Sequence, residues 1–180
     1  IALMKPPSYS LNRRSFLKSS ALATAATALP AWYLDEIRGY AATPKPLSPN
    51  DKPGIALVGC GGQGRGDCNW AKNYGQVVAV CDVDQKQLDE AAKQFGVADS
   101  GKYHDFRKVM ERDDVHVIIN GTPDHWHTLV NLAACAAKKD VYTEKPLTLT
   151  IDEGKRLVKA VRQQGVVLQV GSQQRSDPRF

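Results

Sequence analysis

The 180-residue sequence is poor in cysteine: only Cys60, Cys68, Cys81 and Cys135 occur. They have neither the density nor the spacing of a disulfide framework, and read as small buried apolar residues. Aromatic residues are 7% of the chain, and no internal repeat or low-complexity tract is present. No uninterrupted apolar run reaches the roughly twenty residues a membrane span needs. Charge of one sign is also scarce where it would matter. The formal net charge is +5, but residues 1–42 hold five Lys/Arg against two acids, which leaves 19 against 17 from Thr43 onward. The basic excess therefore belongs to the N-terminal segment, and no nucleic-acid-binding face is implied. Hydrophobic residues at 42% and charged residues at 24% exclude wholesale disorder, collagen and a multispan membrane protein. The length suits one domain with tails.

What is present begins with Asn12-Arg13-Arg14-Ser15-Phe16-Leu17-Lys18, followed at 19–34 by sixteen uncharged residues, mostly Ala, Leu, Thr and Ser. A basic start, a mildly apolar stretch and the small residues Ala41 and Ala42 make a secretory signal pattern. The Arg-Arg-x-Phe-Leu-Lys arrangement resembles the twin-arginine export signal. Residues 1–42 are accordingly read as a twin-arginine signal peptide. Its partner is the twin-arginine export machinery, and its destination the periplasm or cell envelope. The apolar stretch is too short and too diluted for a permanent membrane anchor. Residues 43–53 carry four of the ten prolines and read as a linker.

From Gly54 short apolar runs alternate with helical periodicities, the signature of βαβ units and a parallel sheet. Strands are expected at 55–58, 77–81, 115–120, 141–143 and 166–170, β-branched and nearly uncharged, as strands covered on both faces should be. Asp84 with Gln87 forms a capping-box pattern ahead of Leu88, Ala91, Ala92 and Phe95, with Gly96 as a stop. Thr150 with Glu153 repeats the device before Gly154, Leu157, Val158 and Val161, a face expected to lie on the sheet and closed by Gly165. Leu129, Leu132, Ala133 and Ala136 give a third apolar face. The expected fold is a Rossmann-type α/β doubly wound parallel sheet over 54–172.

Directly after the first strand, Gly59-Cys60-Gly61-Gly62-Gln63-Gly64-Arg65 contains G-x-G-x-x-G. Its context is the one a dinucleotide site requires: a strand before, a helix after, then a second strand ending at Asp82. Gly59 permits the tight turn, Gly61 the approach of a pyrophosphate to backbone N–H groups, and Gly64 close packing of helix on strand. The helix N-terminus adds the positive end of its dipole. Gly62, Gln63 and Arg65 complete the cofactor-binding set on this turn. Asp82 would accept from the adenosine ribose hydroxyls, which favours NAD over NADP unless Arg65 swings over the ribose.

Three more clusters follow strand ends, the edge where open α/β sheets bind ligands. They are Gly121-Thr122-Pro123-Asp124-His125-Trp126-His127, Glu144-Lys145-Pro146 and Gly171-Ser172-Gln173-Gln174-Arg175. With the glycine turn and Asp82, the Thr-Pro-x-x-x-His run and the Glu-Lys-Pro triplet resemble the Gfo/Idh/MocA oxidoreductase family in order and spacing. The resemblance implies that Thr122, Pro123 and His127 line the nicotinamide side of the cofactor and that Glu144 contacts its ribose. It also implies that Lys145 faces the substrate hydroxyl as the catalytic residue, with Pro146 after a cis peptide. Gln173 and Arg175 match polar and basic positions near the nicotinamide, where the spelling departs from the commoner Asn-Arg-Arg.

A cation at Lys145 suits the chemistry, because hydride loss from a carbinol carbon builds alkoxide charge. The implied function is hydride transfer between a sugar or polyol hydroxyl and NAD, with 173–180 starting the connection to a second α/β domain. That domain would lie beyond Phe180, so these residues are expected to show little or no turnover alone. A homo-oligomer stays open for the full-length form. Two alternatives remain: an NAD-dependent glycosidase of the same fold, and a non-catalytic NAD-binding module.

The remaining candidates carry plainer expectations. His125 and His127, two apart, do not share a helix face, so no metal site is expected. Trp126 reads as packing, and His104 and His116 as surface or edge residues. Cys60 would be exposed without cofactor and activated by the helix terminus.

Overall fold

A computed structural model describes Ser48 and residues 51–176; the signal-peptide and most of the linker expectations lie outside the described residues. Six strands form one sheet: β1 (Gly54–Val58), β2 (Gln76–Cys81), β3 (Lys102–Tyr103), β4 (Val117–Asn120), β5 (Asp140–Thr143) and β6 (Leu168–Val170). Their order is β3-β2-β1-β4-β5-β6, and every neighbouring pair is parallel. The order reverses between β1 and β4, which opens a crevice at their carboxyl ends.

Five helices connect them: α1 (Gly62–Ala71), α2 (Gln85–Phe95), α3 (Phe106–Met110), α4 (Asp124–Ala136) and α5 (Ile151–Gln164). One apolar layer joins Leu57, Val80 and Ile119 to Cys68 of α1 and Leu88 and Ala91 of α2. The opposite layer joins Ala56, Ala79 and Ile118 to Met110 of α3 and Val130 and Ala134 of α4. Both faces of β1 are thus buried, which is why its five residues carry no polar side chain.

The caps follow the sequence pattern. The Asp84 carboxylate accepts from the N–H groups of Lys86 and Gln87, and Gly96 closes α2 in the left-handed conformation. Thr150 accepts from Glu153 N–H, and Gly165 ends α5 in the same way.

Three features differ from expectation. β3 and α3 are additional elements; two and five residues are too short to show a period. α5 packs on α4 rather than on the sheet. Leu157 is its one buried residue, and Val158 is 46% exposed. α4, lying between sheet and α5, is buried nearly all round from His127 to Cys135, while Leu129 and Ala136 are only half-buried. β6 is an edge strand with one neighbour, so Gln169 faces solvent and the expectation of two covered faces fails there.

Sequence patterning also passed over Lys139. Its fully buried Nζ donates to the carbonyl oxygens of Arg112 (2.6 Å) and Val115 (2.9 Å), fastening the segment ahead of β4. Burial pulls the amine down to about 8.

Candidate cofactor site

The glycine turn crosses the crevice between β1 and β4. Gly59 has φ +88°, and a Cβ there would meet the Gly121–Thr122 peptide. A Cβ on Gly64 would strike the Gly59 carbonyl oxygen, and one on Gly121 would strike Gly64 itself. Three glycines therefore set how closely the start of α1 lies on β1 and β4. Gly61 and Gly62 differ: a Cβ on either would meet nothing within 4 Å. Gly61 is the N-cap of α1, no side chain caps the helix, and its first turn holds no acid. Unclaimed N–H groups, a favourable dipole and open space beside the backbone are what a pyrophosphate needs. The residues present therefore fit a dinucleotide.

On one side of this terminus, Asp82 ends β2. Its Oδ2 accepts from Cys60 N–H at 2.7 Å and its Oδ1 from Asp84 N–H at 2.9 Å, which fixes the carboxylate in place. Beside it opens a mostly apolar slot of about 160 Å³ with Val83, His104, Phe106, Thr122, Pro123 and Trp126 among its walls. Its apolar lining suits a base next to a ribose-binding acid. Thr122 and Pro123, expected on the nicotinamide side, line this slot because the loop after β4 turns over the end of β1. Trp126 is 43% exposed on the slot wall and meets Phe106 edge-on, with centroids 6.2 Å apart. It packs and also lines the cavity. His104, read as a surface residue, is exposed yet tied to the site: its ring nitrogens lie 2.8 Å from the Asp82 carbonyl oxygen and 3.0 Å from Gln85 Oε1. Arg65 pairs with Glu90 of α2 at 2.7 Å instead of lying over the ribose.

On the other side stand Glu144, Lys145 and Pro146, beyond β5. The Lys145–Pro146 peptide is cis. Glu144 is buried, and its Oε2 accepts from Lys145 N–H at 2.9 Å. Gln63 Nε2 reaches Glu144 Oε1 (3.2 Å), Gln173 Oε1 (2.9 Å) and Asp67 Oδ1 (3.1 Å). The turn, the Glu-Lys-Pro loop and the segment after β6 thus meet at one point. Lys145 and Arg175 are exposed. Burial, then the Glu144 carboxyl, pushes Asp67 up to about 6.

His127 offers the cofactor no polar atom. The ring is 1% exposed, with Nδ1 2.6 Å from the Pro146 carbonyl oxygen and Nε2 2.8 Å from that of Thr122. It ties the Glu-Lys-Pro loop to the Thr-Pro loop. Beneath it lies a buried network that sequence reading missed. Asn120 Oδ1 accepts from Thr122 Oγ1 at 2.6 Å, Asn120 Nδ2 donates to Asn131 Oδ1 at 2.8 Å, and Asn131 Nδ2 donates to Thr143 Oγ1 at 3.2 Å. The available signal was an asparagine closing the otherwise apolar β4. Asp67 was missed as well, since it does not stand out from a surface polar residue in sequence.

The expectation of an exposed, activated Cys60 is overturned. The thiol is fully buried and its Sγ donates to the Cys81 carbonyl oxygen at 3.4 Å. Burial, then the Asp82 carboxylate, pushes it up to about 12. All four cysteines are free and buried.

Comparison with known proteins agrees with this geometry. Residues 54–172 match the Gfo/Idh/MocA oxidoreductase family, NAD-binding Rossmann fold, and residues 10–30 match the twin-arginine translocation signal. That signal directs export to the periplasm or cell envelope. A glycosyl hydrolase family 109 protein from Shewanella sp. (strain ANA-3) is 32% identical over 79% of this chain and 35% of its own length. The chain therefore spans about a third of that relative. Among solved structures, the WlbA dehydrogenase from Bordetella pertussis, in complex with NADH and UDP-GlcNAcA, has a TM-score of 0.64 at 25% identity over 71% of this chain and 39% of that one. Apo scyllo-inositol dehydrogenase from Lactobacillus casei has a TM-score of 0.64 at 26% identity over 71% and 38%. With more than half its length matched, an open glycine turn and NADH-bound relatives, this chain belongs to the Gfo/Idh/MocA oxidoreductase family and carries its NAD-binding Rossmann domain.

Proposed function

We propose that these residues form the cofactor half of an exported oxidoreductase that moves hydride between a sugar or polyol hydroxyl and NAD. The observation that carries this is the uncapped start of α1, set between the Asp82 slot and the Glu144-Lys145-Pro146 loop. The N–H groups of the glycine turn bind the pyrophosphate, and Asp82 accepts from the adenosine ribose. Thr122 and Pro123 wall the base, while Glu144, Gln63 and Gln173 hold the nicotinamide end. NAD, when bound, supplies the hydride acceptor. Lys145 stabilises charge developing on the substrate oxygen and passes on its proton, which closes the balance of an alcohol oxidation.

Lys145→Met in the whole protein is expected to lower kcat by about 10²–10⁴-fold while NADH affinity stays near that of the wild type. Steady-state kinetics beside a binding titration will show this; undiminished kcat removes Lys145 from the mechanism. The Shewanella relative favours a second reading, a glycosidase using NAD transiently. Net NADH formation with a free sugar supports oxidoreduction. Glycoside cleavage without net NADH supports the second reading.

A further inference from the structure

We propose that Asp67 is a positioning residue of the cofactor site, its carboxyl holding one proton in common with Glu144 so that Glu144 stays fixed between α1 and the backbone of Lys145. The inference deepens the reading above and rests on it only where Glu144 touches the cofactor.

A count of donors carries the argument. Gln63 Nε2 has two hydrogens, yet three oxygens surround it: Gln173 Oε1 at 2.9 Å, Asp67 Oδ1 at 3.1 Å and Glu144 Oε1 at 3.2 Å. Asp67 Oδ2 is buried and receives no donor. The Asp67 and Glu144 carboxyls meet around one shared amide nitrogen, with Asp67 Oδ1 at 3.1 Å and Glu144 Oε1 at 3.2 Å from Gln63 Nε2. Glu144 is 5% exposed and has one further donor, Lys145 N–H at 2.9 Å. It lies close against Gly171, where an added Cβ would stand 2.8 Å from Glu144 Oε1. Gln63 and Gln173 are exposed, so solvent serves their side of the cluster; the buried Asp67 Oδ2 is left bare, and a proton on Asp67, donated to Glu144, removes that defect.

The other groups facing the pair stay neutral, and neither donates a hydrogen bond to it. Tyr142 is raised by burial, then by Asp67 and Glu144, and Cys68 is raised by burial, then by Asp67. With both carboxyls ionised, like charges in contact repel. Glu144 then loosens, and the backbone of Lys145 loses its acceptor. Burial and Glu144 place the change near pH 6. Because the folded chain keeps this proton after the unfolded chain has released it, the contribution to stability is present in acid and is lost as pH rises toward about 6.

Two measurements on the full chain test this: carbon-13 titration of the aspartate and glutamate side-chain carboxyls, and NADH affinity from about pH 5 to about pH 8. The proposal expects the Asp67 carboxyl to titrate near pH 6. NADH affinity should be highest below that step and fall through it by no more than about tenfold per pH unit, the limit for one linked proton. Asp67→Asn, whose amide is a permanent donor, should bind NADH at the acid-side affinity throughout. An Asp67 carboxyl titrating in the ordinary range overturns the proposal, as does an Asn variant that keeps the wild-type pH profile. If NADH does not bind at all, the functional reading fails, and the carboxyl titration in the wild type still decides the shared proton.

Discussion

Asp82 shows how one side chain serves fold and ligand together. Both its oxygens already accept backbone N–H groups, from Cys60 and Asp84, and each keeps a further lone pair toward the slot. The first bond ties the end of β2 to the glycine turn, so the carboxylate is oriented before any ribose arrives. Removing it strands two backbone donors and deletes a charged acceptor for the ribose, the latter a loss of about 1.5–3 kcal/mol. Asp82→Ala is therefore expected to weaken NAD binding by roughly ten- to a hundredfold and to narrow the preference over NADP. Isothermal titration with both nucleotides checks this, and an unchanged preference would show that discrimination lies elsewhere.

At the scale of elements, α2 and α5 share capping chemistry but differ in what anchors them. α2 buries Leu88, Ala91 and Ala92 against the sheet, whereas α5 buries Leu157 alone. Glu153 adds a second hold on α5, accepting from Thr128 Oγ1 and Leu149 N–H at 3.0 Å each. Thr150→Ala, which removes one cap bond and leaves those of Glu153, should cost about 1 kcal/mol. Leu157→Ala should cost about 2–5 kcal/mol, because no second buried residue on α5 makes up the contact. Denaturant unfolding measures both, and equal costs would contradict this account of the anchor.

For the whole molecule, the site depends on elements far apart in sequence. The α1 terminus, the loop after β4, the Glu-Lys-Pro loop and the segment after β6 converge only when the sheet is formed. A ligand that bridges them binds the folded state and not the unfolded chain, so it should stabilise the fold by about 2.7 kcal/mol at a hundredfold excess over its Kd. Thermal unfolding with NAD, NADP and a sugar alone checks this. The expected order is a clear rise with NAD, a smaller one with NADP and none with sugar; no rise at saturating NAD would count against a preformed site.

Periodicity and capping residues were enough to locate β1, β2, β4, α2 and α5 in the sequence, because local backbone preference and a buried face act within a few residues. The glycine turn and Asp82 were legible for the same reason: their spacing is itself the geometry of a strand, a turn and a helix. Tertiary structure alone decided the rest. α5 turned to α4 because α4 already covers that face of the sheet, and β6 became an edge because nothing described pairs beyond it. Cys60 keeps its thiol proton because the turn buries it beside the Asp82 carboxylate, and His127 became a bridge because two loops present carbonyl oxygens to its ring. Asp67 gained its place only where α1 meets a loop 77 residues further along the chain. Burial, shared donors and contact between charges are properties of such meetings, and no single stretch of sequence contains them.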